Sequence, residues 1–344
     1  MSESESDIFN LNISTVVKYD SELNADSVEW CPHKPHQNFF VCANYQLITE
    51  TQTRIGRILL FSLSPQLNLN LHQVLNTSGI LDQKWCHQQI NNVSMLGVVT
   101  ANKRLEIYSF KNILQLVTFF ELNVDDEVLM LSLDWSTGKF ENNIEIICSD
   151  SKGCWHRFTF TENLLHLVDT FQAHSFQAWI AAFYYWDTNV FFTGGDDSLF
   201  LKFDKRCESK PVLKNRIHNA GVTSIHSNSQ REFTIASGSY DENIYLWDLR
   251  NMRTPLDRVH MPGPVWRLKW DPATFNYLLA ACMLGGAHIL NLESDKKLNI
   301  VGSYYGHKSM TYGADWSHSN AENRIVATCS FYDNLLCVLK VQLN

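Results

Sequence analysis

The chain has 344 residues, with 10 Trp, 12 Tyr and 20 Phe, and 45% of it is hydrophobic, enough apolar side chain for a large packed core. Its 28 basic and 36 acidic side chains give a formal charge of −8, which argues against nucleic acid as a partner, because phosphate binding needs a basic face. Nine cysteines, none in a C-x-x-C pair and most inside apolar runs, read as small buried hydrophobes of a reducing compartment, and no apolar run is long enough to span a membrane.

Residues 1–12 open with MSESESD, lack the basic and then apolar regions of a secretory signal, and read as a disordered acidic terminus. Residues 13–344 read as one domain of a cytoplasmic, monomeric protein. STVVKY, Ser14–Tyr19, alternates as a strand does. CPHKPH, Cys31 to His36, holds one Cys and two His close enough for a metal, but the prolines favour a plain loop, so no metal is expected. FFVCANYQL and GRILLFSL frame a long hairpin loop at 47–56. LGVVTANKRLEIYSF (96–110) and IICSDSKGCWHRF (146–158) repeat the same hydrophobic frame.

TGGDDSLFLKFDKR, Thr193 to Arg206, then aligns with SGSYDENIYLWDLR, Ser237 to Arg250. Thr193 and Ser237, Asp197 and Asp241, Phe203 and Trp247, and His174 and His218 are all 44 residues apart. Weaker copies follow at 280–292 and 327–341. An inner-strand marker ends at Trp30, Trp85, Trp135, Trp186, Trp270 and Trp316, and the Ser224–His226 segment lacks it, which makes seven units. A period near 40–45 with an upstream His, a Ser/Thr-x-x-x-Asp turn and a terminal Trp-Asp resembles the WD40 repeat, and implies an all-β, seven-bladed propeller. The chain ends after a third strand, Val338–Leu343, so Ser14–Tyr19 is expected to supply the fourth strand of the last blade and close the ring.

In WD40 blades the repeated residues form a relay, here Trp247–Ser237–His218–Asp241, which pairs buried polar groups and pins two loops. Phe203 and Leu339 stand in the Trp slots of the fourth and last blades, so His174 and His307 are expected to be less tied down. The fold brings the loops of the His and Asp slots to one mouth of the central channel. There Trp179, Tyr240, Trp266, Tyr312 and Tyr332 meet Asp196, Glu242 and Asp333, a set suited to a cationic, partly apolar ligand. No nucleophile elbow, glycine-rich phosphate loop or H-E-x-x-H motif occurs.

FQAWIAAFYYW, GGDD, GSYDENIYLWDLRNMRTPL, VWRLKWDP, LLAACM, YGADWS and ATCSFYDN occur in this order over about residues 170–341. Together they resemble the diphthine methylesterase family, WD-repeat members of the diphthamide pathway. The resemblance implies hydrolysis of the methyl ester of methylated diphthine, a modified histidine on elongation factor 2, to diphthine and methanol, without a cofactor. A trimethylammonium group near that ester would sit on Trp179, Trp266, Tyr312 or Tyr332, with Asp196 or Glu242 adding charge. His174 is the first expected base and His307 the second, with Tyr312, Tyr332 or the Gly194–Gly195 amides as oxyanion donors and Ser239 or Ser330 as nucleophiles needing a His. Against this stands a non-catalytic scaffold or substrate receptor of a cullin ubiquitin ligase, read from WDLR (Trp247–Arg250) and FDKR (Phe203–Arg206).

Overall fold

Short apolar strands bounded by tight turns pair with their sequence neighbours, so each local run of four builds its own antiparallel sheet. The computed structural model describes residues 11–139, 143–207, 210–319 and 324–343, and among them it contains strands and turns but no α-helix. The sheets form the seven blades of a β-propeller. Their first strands, which line the channel, are Ala25–Trp30, Ile80–Trp85, Met130–Trp135, Ala178–Phe183, Val222–Ser227, Arg267–Trp270 and Thr311–Trp316 in blades 1 to 7. The 47–56 insertion is a hairpin: Gln46–Ile48 pairs with the start of Thr53–Leu63.

Leu11–Asp20 pairs antiparallel with Leu335–Leu343 and completes blade 7, as the alternation of Ser14–Tyr19 suggests. The strand begins at Leu11, and the rest of the terminus expected to be disordered, residues 1–10, lies outside the described residues. Burial is organised between blades. Seven hydrophobic clusters each join two neighbouring sheets, such as Trp135 and Phe158 of blade 3 against Leu105 and Ile107 of blade 2.

The Trp marker has a physical cause. Trp85, Trp135, Trp270 and Trp316 donate their indole N–H to a backbone carbonyl of the preceding blade's inner strand, at 3.2, 2.9, 3.1 and 3.0 Å. Each apolar ring fills an inter-blade core while its one donor is satisfied. Trp186 is not the fourth marker. The strand ends at Phe183, which fills that slot, and Trp186 donates forward to Asn228 O at 3.0 Å.

Inner-strand side chains do a second job. Ser132, Asp134, Ser224 and Asp315 accept amide hydrogens of Ala181, Phe183, Leu268 and Trp30, each on the next blade. Buried edge amides thus find partners across the gap. Other inner-strand charges pair within the channel. Lys269 meets Glu29, Lys84 lies 3.5 Å from Asp134, and Arg267 of blade 6 reaches Asp82 of blade 2 at 3.1 Å. Blades 2 and 6 are not neighbours, so this last pair crosses the channel. Arg267→Leu is expected to cost about 3–5 kcal/mol in denaturant titration by stranding Asp82, and adding Asp82→Asn should return much of it.

Candidate functional site at the channel mouth

The side chains at the mouth come from one repeated position. In six blades the register of the inner strand slips after its first residue, between Ala25 and Ser27, Ile80 and Asp82, Met130 and Ser132, Ala178 and Ile180, Val222 and Ser224, and Thr311 and Gly313. A bulge leaves one residue unpaired and re-aims it. Those residues are Asp26, Leu81, Leu131, Trp179, Thr223 and Tyr312, and Trp266 holds the corresponding place in blade 6.

Four aromatic rings gather there. Trp179, Tyr240 and Trp266 form a triangle with centroids 5.5, 5.9 and 6.1 Å apart, and Tyr312 stacks on Trp266 at 4.7 Å. Separations this short leave no gap for a ligand between the rings, so the cluster is a platform on which one would lie. Asp196 adds charge at its edge, accepting the Trp179 indole N–H at 3.1 Å. Gly221 permits this approach, since a Cβ there would lie 2.7 Å from Asp196 Oδ1 and 3.1 Å from the Tyr240 ring. Burial, then the Asp196 carboxylate, push the Tyr240 hydroxyl up to about 12, and burial raises Tyr312 as well. Both stay neutral phenols at physiological pH.

Of the residues singled out in the sequence, Trp179, Asp196, Tyr240, Trp266 and Tyr312 come together. Tyr332 is 67% exposed on the rim and joins them through Phe331, which contacts both it and Tyr312. Glu242 does not join. It turns toward the outer strand of blade 5, 3.7 Å from His260. Asp333 caps the preceding loop instead, accepting the Lys308 amide at 2.8 Å.

Of the two histidines expected to act as bases, His174 is a full relay residue, whereas His307 keeps the Thr328 bond and its buried Nδ1 has no partner, so it is the less tied down of the two. Trp247 donates to Ser237 Oγ at 2.9 Å, His218 Nε2 lies 2.9 Å from that oxygen, and its Nδ1 lies 3.0 Å from Asp241. Hydrogen bonds with His218 and the Asn219 amide outweigh burial and hold Asp241 at about 2. His174 repeats this geometry, 2.8 Å from both Thr193 and Asp197, and is only 2% exposed. Phe203 in the Trp slot therefore does not loosen it, because the His–Asp link is independent of the missing indole. His307 sits on Thr328 at 2.8 Å, and burial lowers its pKa to about 4. Both histidines lie in the loop before an inner strand, and each ring bonds a hydroxyl of the second strand of its blade, Thr193 or Thr328. His174→Ala is expected to cost about 1–3 kcal/mol of stability in a denaturant titration, the penalty of unpaired buried Asp197 and Thr193.

The remaining expected groups are held in local contacts or buried. The Gly195 amide bonds Leu199 O, and a Cβ at Gly195 would strike His174. Ser239 donates to Ala220 O at 3.1 Å, and Ser330 is fully buried. In the CPHKPH loop, Cys31 and His33 both approach Ser94 while His36 packs on Phe39 and Phe110. Arg206 and Arg250 form bonds with Asp204 and Asp248 two residues earlier, so both Asp-x-Arg boxes are paired internally.

Sequence reasoning passed over Asp26, Thr223 and Arg267, which line the mouth beneath the platform. The Asp26 carboxyl is 6% exposed, its Oδ1 has no hydrogen-bond partner, and burial raises its pKa to about 8 against the pull of Arg267. Its signal was its place, four residues before a marker Trp, shared with Trp266 and Tyr312.

Fold and mouth together define a WD40 propeller protein with an aromatic, acid-edged site at one end of its channel. A WD40 family model (WD domain, G-beta repeat) matches residues 209–248. A chain in the crystal structure of a mitotic checkpoint complex superposes with a TM-score of 0.74 over 99% of this chain and 95% of that one, at 16% identity, a likeness of fold alone. A mouse (Mus musculus) protein named diphthine methyltransferase is 41% identical over 328 residues, covering 87% of this chain and 68% of the relative. A Dictyostelium discoideum protein named diphthine methyltransferase homolog is 33% identical, covering 92% and 96%. The chain belongs to this diphthine methyltransferase family.

Proposed function

We propose that the protein is a carboxyl methyl ester hydrolase acting on methylated diphthine of elongation factor 2, releasing diphthine and methanol. The observation that carries this reading is the platform of Trp179, Tyr240, Trp266 and Tyr312 with Asp196 at its edge. A trimethylammonium group is attracted to aromatic faces and to a nearby carboxylate, and its methyl groups favour an apolar bed. Placed there, the cation anchors the substrate and leaves the adjacent ester over the centre of the channel mouth. The relatives are named for methyl transfer on diphthine, and hydrolysis of the ester acts on the same methyl group, which leaves with its ester oxygen as methanol.

The test is direct. Elongation factor 2 bearing the methyl ester is incubated with the purified protein, and methanol release and the loss of one CH₂ in mass are followed. Stoichiometric release supports the hydrolase. An unchanged substrate at high enzyme concentration overturns it, and a gain of one CH₂ by the factor bearing unesterified diphthine, with an added methyl donor, assigns the reverse chemistry.

A further inference from the structure

Beneath Trp179 and Trp266 lies a cavity of about 30 Å³, walled also by Asp26, Thr223 and Arg267. A space of this size suits about one water molecule. Two of its walls carry buried polar atoms without protein partners, Asp26 Oδ1 and the Trp266 indole N–H. Such buried atoms need a partner, and a water in the cavity would supply one to each. The other polar walls are engaged. Thr223 Oγ1 donates to the carbonyls of Val265 and Gly238, and Arg267 is held by Asp82. Asp26 is thus the wall acceptor that can take up a proton near neutral pH, which the Thr223 hydroxyl cannot, and it stands below the platform that would hold the substrate.

We infer that Asp26 is the general base of the ester hydrolysis, holding the attacking water in this cavity and taking its proton. The inference rests on the hydrolase reading above. The water oxygen forms a bond to the ester carbonyl carbon as its proton passes to the Asp26 carboxylate. The carbonyl oxygen becomes an oxyanion, facing the Trp266 N–H and the Arg267 charge. Collapse breaks the carbon–methoxy bond, and the leaving oxygen takes the proton back from Asp26. Methanol departs, the carboxylic acid product loses its proton to solvent, and Asp26 is again a carboxylate.

Arg267, Asp82, Tyr312 and the Cys329 thiol are the titratable groups facing Asp26. Tyr312 and Cys329 are raised and stay neutral below pH 9, and Arg267 stays charged. The limb of activity near neutral pH therefore reports Asp26. With burial raising it to about 8, the carboxylate gains with rising pH. The rate constant should rise tenfold per pH unit below that value and level off above it.

Single-turnover methanol release from ester-bearing elongation factor 2 tests the assignment. Asp26→Asn should slow release by about 10²–10⁴-fold while substrate affinity is kept, and its residual rate should lose the rising limb. Affinity for tetramethylammonium and the circular dichroism spectrum confirm that the variant is folded. If it is not folded, the pH profile of the unaltered protein decides, and a flat profile from pH 6 to 9 overturns the proposal. A folded Asp26→Asn protein with near-normal release overturns it while leaving the hydrolase reading intact. An inactive unaltered protein overturns both. Labelled oxygen from water entering Asp26 would make it a nucleophile, which also refutes the base role.

Discussion

Deletion of residues 1–20 is expected to abolish the closed ring as a stable monomer. Leu11–Asp20 supplies nine paired positions to the last blade, and its side chains feed two inter-blade cores. Leu11 and Ile13 pack between blades 6 and 7, whereas Val16, Val17 and Tyr19 pack between blades 7 and 1. Tyr19 meets the Phe61 ring edge-on at 4.9 Å, and Thr15 pairs with the Tyr304 hydroxyl at 3.0 Å. At about 1 kcal/mol per net hydrogen bond and 1.5–3 kcal/mol per buried large apolar side chain, the loss rivals the roughly 5–15 kcal/mol by which domains are stable. The truncated chain would also expose the backbone of Leu335–Leu343 as an unpaired edge, a template for association. Thermal melting and size-exclusion chromatography should show lost cooperativity and aggregation, with partial rescue by a peptide of residues 11–20. A monomer melting within a few degrees of the full chain would show that the ring closes without this strand.

Trp266→Ala should have the largest effect on binding. Trp266 touches all three other rings of the platform and roofs the water-sized cavity. A desolvated cation–π contact contributes about 2 kcal/mol, so the dissociation constant for the ester-bearing factor should rise roughly 30-fold. Trp266→Phe keeps a ring face and should recover part of that affinity, though without the indole donor it should still hydrolyse slowly. Calorimetric titration measures the first effect and single-turnover release the second. Unchanged affinity in the alanine variant would remove the platform from substrate binding.

Ring, blade number and closure were legible because each repeats a residue type with a fixed physical task. Trp at the end of the inner strand staples one blade to the next, and the His–Asp pair locks two loops. The same regularity misled at blade 4, where Phe183 fills the staple slot and Trp186 lies three residues beyond. His174 departs from the sequence expectation for a related reason: the missing Trp does not loosen a lock whose other bonds survive without it. The platform was legible as a set of loop aromatics on one face. Asp26 was harder to see, because its place four residues before Trp30 marks only a position, while its importance lies in a backbone bulge and a buried, unpartnered oxygen that composition does not carry. Glu242 was misplaced because a turn residue at φ 64° points its side chain by local backbone geometry, here toward the outer strand.

The Asp82–Arg267 pair bears on how a ligand reaches and leaves the mouth. Tied between blades that are not neighbours, it separates the small cavity under Trp179 and Trp266 from the larger one of about 140 Å³ at the opposite end. The axis is a cup narrowed at its floor by this ion pair. A group that enters at the aromatic mouth meets this pair below the platform, so product is expected to withdraw by the opening it entered and to delay the next arrival. A long side chain projecting from a large partner suits such a cup, because its tip can dip in and retreat while the partner's body stays outside.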